Sequence, residues 1–215
     1  MILLSKTLNI IVTGVGGQGN ILVSRLISTA AIRSGLHVRG VETLGAAQRG
    51  GHVVSHLRIG ENIYSPRIPP NRADILVALE PVEGLRLAGL LAEDSVAIVN
   101  SKTIPPADVK VGNQNYPDME SVQEIYDRLT KITYLFNATE LAIKAGSPVA
   151  ANIVLLGALA ATGTLPMPTD AIKEVIVELV PEGTEDINIQ AFDLGFERIN
   201  SRESLTANSI QRSVA

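Results

Sequence analysis

A chain of 215 residues with 46% hydrophobic content suits one compact domain with a sizeable core. A formal net charge of −4, 3% aromatic residues and no Trp argue against the basic, aromatic-studded surface of a nucleic-acid binder. With no cysteine, the chain builds no disulfide, no thiolate zinc site and no cysteine-ligated iron–sulfur cluster.

Met1 to Lys6 lacks the basic n-region of a secretory signal and runs straight into a strand-like segment. Leu8 to Thr13 is short, apolar and rich in β-branched residues, which predicts a buried strand. Gly14 to Gly19 reads as a turn. Asn20 to Ser34 then carries helical spacing through Ile21, Leu22, Leu26 and Ile27, with Gly35 as its stop. Val38 to Val41 follows as a second strand. A strand–helix–strand unit of this kind favours a parallel sheet, because a parallel connection needs a crossover.

Val53 to Ile59 predicts a further strand, Gly60-Glu61-Asn62 a turn, and Ile63-Tyr64-Ser65 its returning hairpin partner. Asp74 to Leu79 is an apolar strand closed by Glu80-Pro81. Val82 to Leu91 reads as a short helix, Val96 to Val99 as a strand ending at Asn100, and Thr103 to Asn115 as a loop. Ser121 to Leu129 fits an amphipathic helix and Ile132 to Phe136 a strand. The last third reads as helical: Thr139 to Lys144, then Ala151 to Ala161, which is apolar almost all round and so belongs in the core or at a subunit contact. Thr169-Asp170 is placed to cap a helix over Ala171 to Leu179, and Ile187 to Ile199 forms the final amphipathic helix. The polar residues 200–215 read as a poorly ordered tail after a single domain over 1–199. The longest apolar run, Ile153 to Ala161, is about half the ~20 residues a membrane span requires, so the expected location is the cytoplasm, with no membrane partner.

Gly14-Val15-Gly16-Gly17-Gln18-Gly19 satisfies G-x-G-x-x-G with a strand before it and a helix after it. Glycines there permit a tight turn and close backbone approach, and the helix start offers N–H groups to a phosphate. Glu42 lies 23 residues after Gly19 (42 − 19), where a dinucleotide-binding domain keeps its ribose-binding acid. Two readings stay open: a nucleotide site, or a tight turn that needs glycine for packing alone. Gln48-Arg49-Gly50-Gly51 sits between two strands. Arg49 offers a fork of donors to a phosphate or carboxylate, although a solvent-facing or interface arginine is the plainer reading. His52 and His56 share one face of a strand, about 13 Å apart at ~3.3 Å per residue, too far for one metal ion. They read as polar-face or interface histidines. Glu80 and Asn100 close strands at their carboxyl ends, where open α/β sheets bind ligands.

The ordered series is more specific than any one motif. After the glycine loop come Glu42 to Gly51, Val54-Ser55-His56, Arg58-Ile59-Gly60, Tyr64-Ser65-Pro66, Ala73 to Leu76, Glu80-Pro81, Val99-Asn100 and Ala138-Thr139-Glu140. Asn152 to Leu159 and Asn188 to Phe192 complete it. This series resembles the gamma-type domain of the pyruvate/2-oxoacid:ferredoxin oxidoreductases over about Leu8 to Ile199, and most of all the beta subunits of the indolepyruvate branch. Ala46 departs from the methionine-like residue of many relatives. The resemblance implies a Rossmann-like α/β fold: a mostly parallel sheet flanked by helices, with a β-hairpin insertion and a helical C-terminal third.

The resemblance also implies an oxidoreductase subunit that is inactive alone. Its complex would convert an arylpyruvate and coenzyme A to an aryl-acetyl-CoA and CO2, passing electrons to ferredoxin. Thiamine diphosphate, magnesium and [4Fe-4S] clusters would sit in the larger alpha subunit, with no cofactor bound by this chain alone. The site residues it implies are Gly14, Gly16, Gly17, Gln18, Gly19, Glu42, Arg49 and Gly50, binding coenzyme A phosphates or shaping the channel to thiamine diphosphate. The rivals are a free-standing NAD(P)- or flavin-dependent oxidoreductase, supported by the glycine loop and Glu42, and a nucleotide-sensing module without enzymatic activity.

Overall fold

The computed structural model describes residues 7–44, 51–105 and 115–213. Six strands form one sheet: β1 (Leu8–Val15), β2 (Val38–Leu44), β3 (His52–Ile59), β4 (Ala73–Ala78), β5 (Leu91–Asn100) and β6 (Ile132–Phe136). Their spatial order is β2-β3-β1-β4-β5-β6. The pairs β1–β4, β4–β5 and β5–β6 are parallel. Strand β3 runs antiparallel to both β1 and β2, so the other five strands share one direction.

That order corrects two expectations. The crossover from β1 through α1 (Asn20–Arg33) to β2 does not bring β2 beside β1, because β3 is inserted between them. The hairpin partner of β3 is β2, in register from Val38 opposite Ile59 to Leu44 opposite Val53, and not Ile63 to Ser65. That segment is held by a side chain instead: Arg39 Nε donates to the Ile63 carbonyl at 3.0 Å.

The central strands are buried on both faces, as parallel strands covered by helices are. Alternate residues serve different cores, following the two-residue period of a strand. Ile10, Val12, Ile75, Val77 and Ile98 face the larger core. Ile11, Leu76, Ala78, Ala97 and Val99 face the smaller one. On the smaller side lie α2 (Pro81–Leu85) and α3 (Met119–Leu129). The expected helix over Val82 to Leu91 is cut short: a 3-10 turn spans Ala88–Leu90, and β5 begins at Leu91.

On the larger side lie α1, α4 (Ala138–Lys144), α5 (Ala151–Ala161), α6 (Thr169–Leu179) and α7 (Glu185–Ser213). Helix α6 starts at Thr169 itself, with Pro168 at its cap and no side-chain cap bond, so Thr169 and Asp170 are first-turn residues and do not cap. Helix α5 is the hub. Eight of its eleven residues, Asn152 to Leu159, are buried. Each fully buried Leu or Ile contributes roughly 1.5–3 kcal/mol. Two glycines let α5 and α7 cross at backbone contact: a Cβ on Gly157 would lie 2.0 Å from the Phe192 carbonyl oxygen, and one on Gly195 1.9 Å from that of Val154. Helix α7, expected over Ile187 to Ile199, continues to Ser213. Among the described residues, no helix is long and apolar enough to cross a membrane.

Candidate functional site

The carboxyl ends of β1, β4, β5 and β6 and the start of β3 meet at one edge of the sheet, because Val15 pairs with His52 and β3 is reversed. The glycine loop lies there. Gly14 closes β1 opposite Val53. The Gly16 N–H donates to the Gly51 carbonyl at 2.8 Å, tying the loop to the chain that enters β3. Gly17 (φ 101°) and Gly19 (φ 84°) occupy left-handed backbone that a side chain strains. Gly17 faces open space, with no atom within 4 Å of where a Cβ would stand, whereas a Cβ on Gly19 would lie 2.3 Å from Asn152 Nδ2. Gly19 is the cap residue of α1 and supplies no side-chain cap bond. The first N–H groups of the helix, at its positive end, therefore lack a side-chain acceptor.

Gln18 is a fastener. Its Oε1 accepts from the Val15 N–H at 2.7 Å, and its Nε2 donates to the Leu79 carbonyl at 2.9 Å. From the other side, Asn100 Nδ2 donates to Thr139 Oγ1 at 3.1 Å and to the Leu79 carbonyl at 3.4 Å. Asn100 Oδ1 accepts from the N–H groups of Ala138 and Lys102, at 3.0 and 3.2 Å. One carbonyl at the end of β4 thus joins three connections. Around it opens a cavity of about 300 Å³ whose walls include Gly17, Gln18, Asn100, Lys102, Thr139 and Asn152. Asn152, in the first turn of α5, bridges the two helix starts through Nδ2 to the Gly19 carbonyl at 3.4 Å. Val149, 76% exposed, stands at the rim.

Behind this cavity lies a buried carboxylate cluster. Glu80, 1% exposed, caps α2 by accepting the Glu83 N–H at 2.9 Å. Its other oxygen accepts the Ile104 N–H at 3.3 Å and the Tyr116 hydroxyl. Burial, then the bond to Glu80, pushes the Tyr116 phenol above its ordinary range, so it stays protonated and donates. Glu83 pairs with His52 Nδ1 through one oxygen and takes Arg86 Nε at 3.3 Å through the other. Burial and the Arg67 charge lower the pKa of His56, whose Nδ1 accepts the Ile68 N–H at 3.4 Å. Both histidines lie on the face of β3 predicted for them.

The structure gathers Gly14, Gly16, Gly17, Gln18 and Gly19 at one edge, together with Glu80 and Asn100. Glu42 is not among the residues lining the cavity. It lies opposite Ser55, which lies opposite Val12, so it stands two strand spacings, roughly 10 Å, from β1. Its partner is Ser24, whose Oγ donates to Glu42 Oε1 at 3.3 Å. Arg49 and Gly50 lie outside the described residues. Lys102, Thr139 and Asn152 were missed as site residues. Their convergence depends on three separate elements, and only the strand-end position of Asn100 pointed toward it.

Comparison with known proteins adds three findings. The family model described as pyruvate ferredoxin/flavodoxin oxidoreductase matches residues 9–198. The indolepyruvate oxidoreductase subunit IorB of Pyrococcus horikoshii is 39% identical over 191 residues, covering 88% of this chain and 95% of that protein. The subunit of the same name from Archaeoglobus fulgidus is 39% identical over 198 residues, covering 92% and 98%. Among solved structures, the gamma subunit of a keto/oxoacid ferredoxin oxidoreductase from Geobacter sulfurreducens superposes with a TM-score of 0.67 at 26% identity, covering 90% of this chain and 99% of that one.

Proposed function

This chain belongs to the pyruvate ferredoxin/flavodoxin oxidoreductase family, and from that premise we propose that it works with a larger partner subunit in the coenzyme A-dependent oxidative decarboxylation of an arylpyruvate. It is the small subunit of an indolepyruvate-type 2-oxoacid:ferredoxin oxidoreductase. The observation that carries the proposal is 39% identity to an indolepyruvate oxidoreductase subunit along nearly the full length of both chains.

The chain's own residues do not fit the redox cofactors. It has no cysteine to hold a cluster, and no group of three His, Asp or Glu able to hold a metal occurs among the described residues. Thiamine diphosphate with its magnesium, and the [4Fe-4S] clusters, therefore belong to the partner alpha subunit in this proposal, and ferredoxin is reached through the complex. The location that goes with this role is the cytoplasm.

This chain's contribution is to hold coenzyme A. Gly14, Gly16, Gly17, Gln18 and Gly19 would present backbone N–H groups and the positive end of α1 to its phosphates. The bond from Gly16 to Gly51 brings the segment carrying Arg49 and Gly50 to the same loop, which supports Arg49 as a phosphate ligand. Glu42 has no part in this, because β3 holds it away and Ser24 engages it. The same displacement weighs against the nicotinamide reading, whose ribose-binding acid needs β2 beside β1.

The test is association. The tagged chain, co-expressed anaerobically with the large subunit from its own genome, should co-purify at fixed stoichiometry through size exclusion. Migration of this chain alone, together with tight binding of a nicotinamide or another free nucleotide, would replace this proposal with one of its rivals.

A further inference from the structure

The polar groups around the cavity at the start of α5 are chemically one-sided. Asn100 is committed to its neighbours, with Nδ2 donating to Leu79 O and Thr139 Oγ1 and Oδ1 accepting from Lys102 and Ala138. Because Thr139 Oγ1 accepts from Asn100, its own O–H is left to donate. Gln18 Oε1 accepts from Val15, and its Nε2 uses one hydrogen on Leu79 O. Lys102 brings an exposed ammonium on a backbone pinned by Asn100. Among the described residues that line the cavity, none is acidic and Lys102 is the one cation. The rest of the wall is largely apolar, with Leu79, Ile104, Val149 and Leu155. A volume of about 300 Å³ holds a small molecule, not a whole dinucleotide-sized coenzyme.

We infer that this cavity binds a small organic anion with an apolar body. The carboxylate or phosphate accepts from Lys102 Nζ and the Thr139 hydroxyl, and the body lies against Leu79, Ile104 and Leu155. Lys102 is the determinant of charge, and the apolar wall selects against bare inorganic anions. Two molecules within the proposed function carry this chemistry, an aromatic 2-oxoacid and the phosphopantetheine arm of coenzyme A. The inference rests on that function for its choice of probes.

Phenylpyruvate and 4′-phosphopantetheine are titrated separately into the full chain and into the two-subunit complex, with binding followed by ligand-observed NMR. Wild-type protein is expected to bind one of the two, and Lys102→Gln to weaken it about tenfold or more, the size of a lost charge-assisted hydrogen bond. Lys102→Arg and the exposed, distant Lys144→Gln are expected to stay within about threefold of wild type, since each keeps the charge at the cavity. Binding of phenylpyruvate alone identifies the oxoacid as occupant, and binding of phosphopantetheine alone the coenzyme. If neither probe binds the chain or the complex, or if Lys102→Gln binds as wild type does, the inference is wrong. Complex formation without oxidoreductase activity would count against the proposed function while leaving a Lys102-dependent binding result standing.

Discussion

Replacing Gly157 by alanine tests the packing that sets α5 against α7. On helix propensity alone the change stabilises by about 1 kcal/mol. The structure predicts the opposite sign. The new Cβ would lie 2.0, 2.8 and 3.0 Å from the carbonyl oxygen, carbonyl carbon and Cα of Phe192, all of them backbone. No side-chain rotation relieves a contact with backbone, so the helices must move apart by more than an ångström. That opens voids around Val154, Leu155 and Phe192, which are 0% exposed. Overpacking of this kind costs roughly 1–3 kcal/mol or more, and the lost contacts add to it. A net destabilisation of about 2–4 kcal/mol follows, or a fall in Tm of roughly 4–15 °C at this chain length. Urea unfolding followed by circular dichroism would read it as a lower midpoint at unchanged slope. Gly89→Ala is the control, because its Cβ meets nothing within 4 Å and its φ needs no left-handed backbone. A Gly157→Ala variant as stable as wild type, or more stable, would refute the close crossing.

Other outcomes follow from single contacts. Tyr126→Phe removes the hydroxyl that donates to the buried Pro81 carbonyl at 2.7 Å, and should cost about 1–3 kcal/mol in chemical denaturation by leaving that acceptor unpaired. Gly19→Ala combines a φ of 84° with a clash on Asn152 Nδ2; in the complex it should raise KM for coenzyme A more than it lowers kcat, and unchanged kinetics would remove the glycine loop from the site. His56 titrates below its ordinary 6.5 in the fold, so the unfolded chain binds the proton first, and stability should fall as pH drops below about 6.5. That acid-side loss should be smaller in His56→Phe when the two proteins are unfolded in urea at pH 7.5 and pH 5.5; equal losses would show that His56 does not contribute.

The sequence made the β1–turn–α1 unit plain, because a β-branched apolar run, a cluster of glycines and a 3.6-residue apolar period stand in succession there. It did not reveal strand order. β3 carries the apolar pattern of any buried strand, and nothing local says that it slips between β1 and β2 in the opposite sense. Ile63-Tyr64-Ser65 imitated a strand because Ile63 is buried, yet its carbonyl is taken by Arg39 and not by a ladder. The first half of β5 was hidden because Glu93 and Asp94 are exposed charges that break the apolar run. Within the site, glycines and strand-end residues announce themselves through backbone demands. Lys102, Thr139 and Asn152 carry no such mark, since each acquires its place only when three elements fold onto one edge.

The central claim is that this chain completes a coenzyme A-dependent oxidoreductase. The most direct test is to purify the large subunit and this chain separately under anaerobic conditions and titrate this chain into the other. Reduction of a viologen dye by indolepyruvate is then followed with and without coenzyme A. The account predicts negligible rate from either chain alone and coenzyme A-dependent activity that rises with added chain to a fixed molar ratio. Full activity from the large subunit without this chain, or none from the assembled pair with any arylpyruvate, would contradict it.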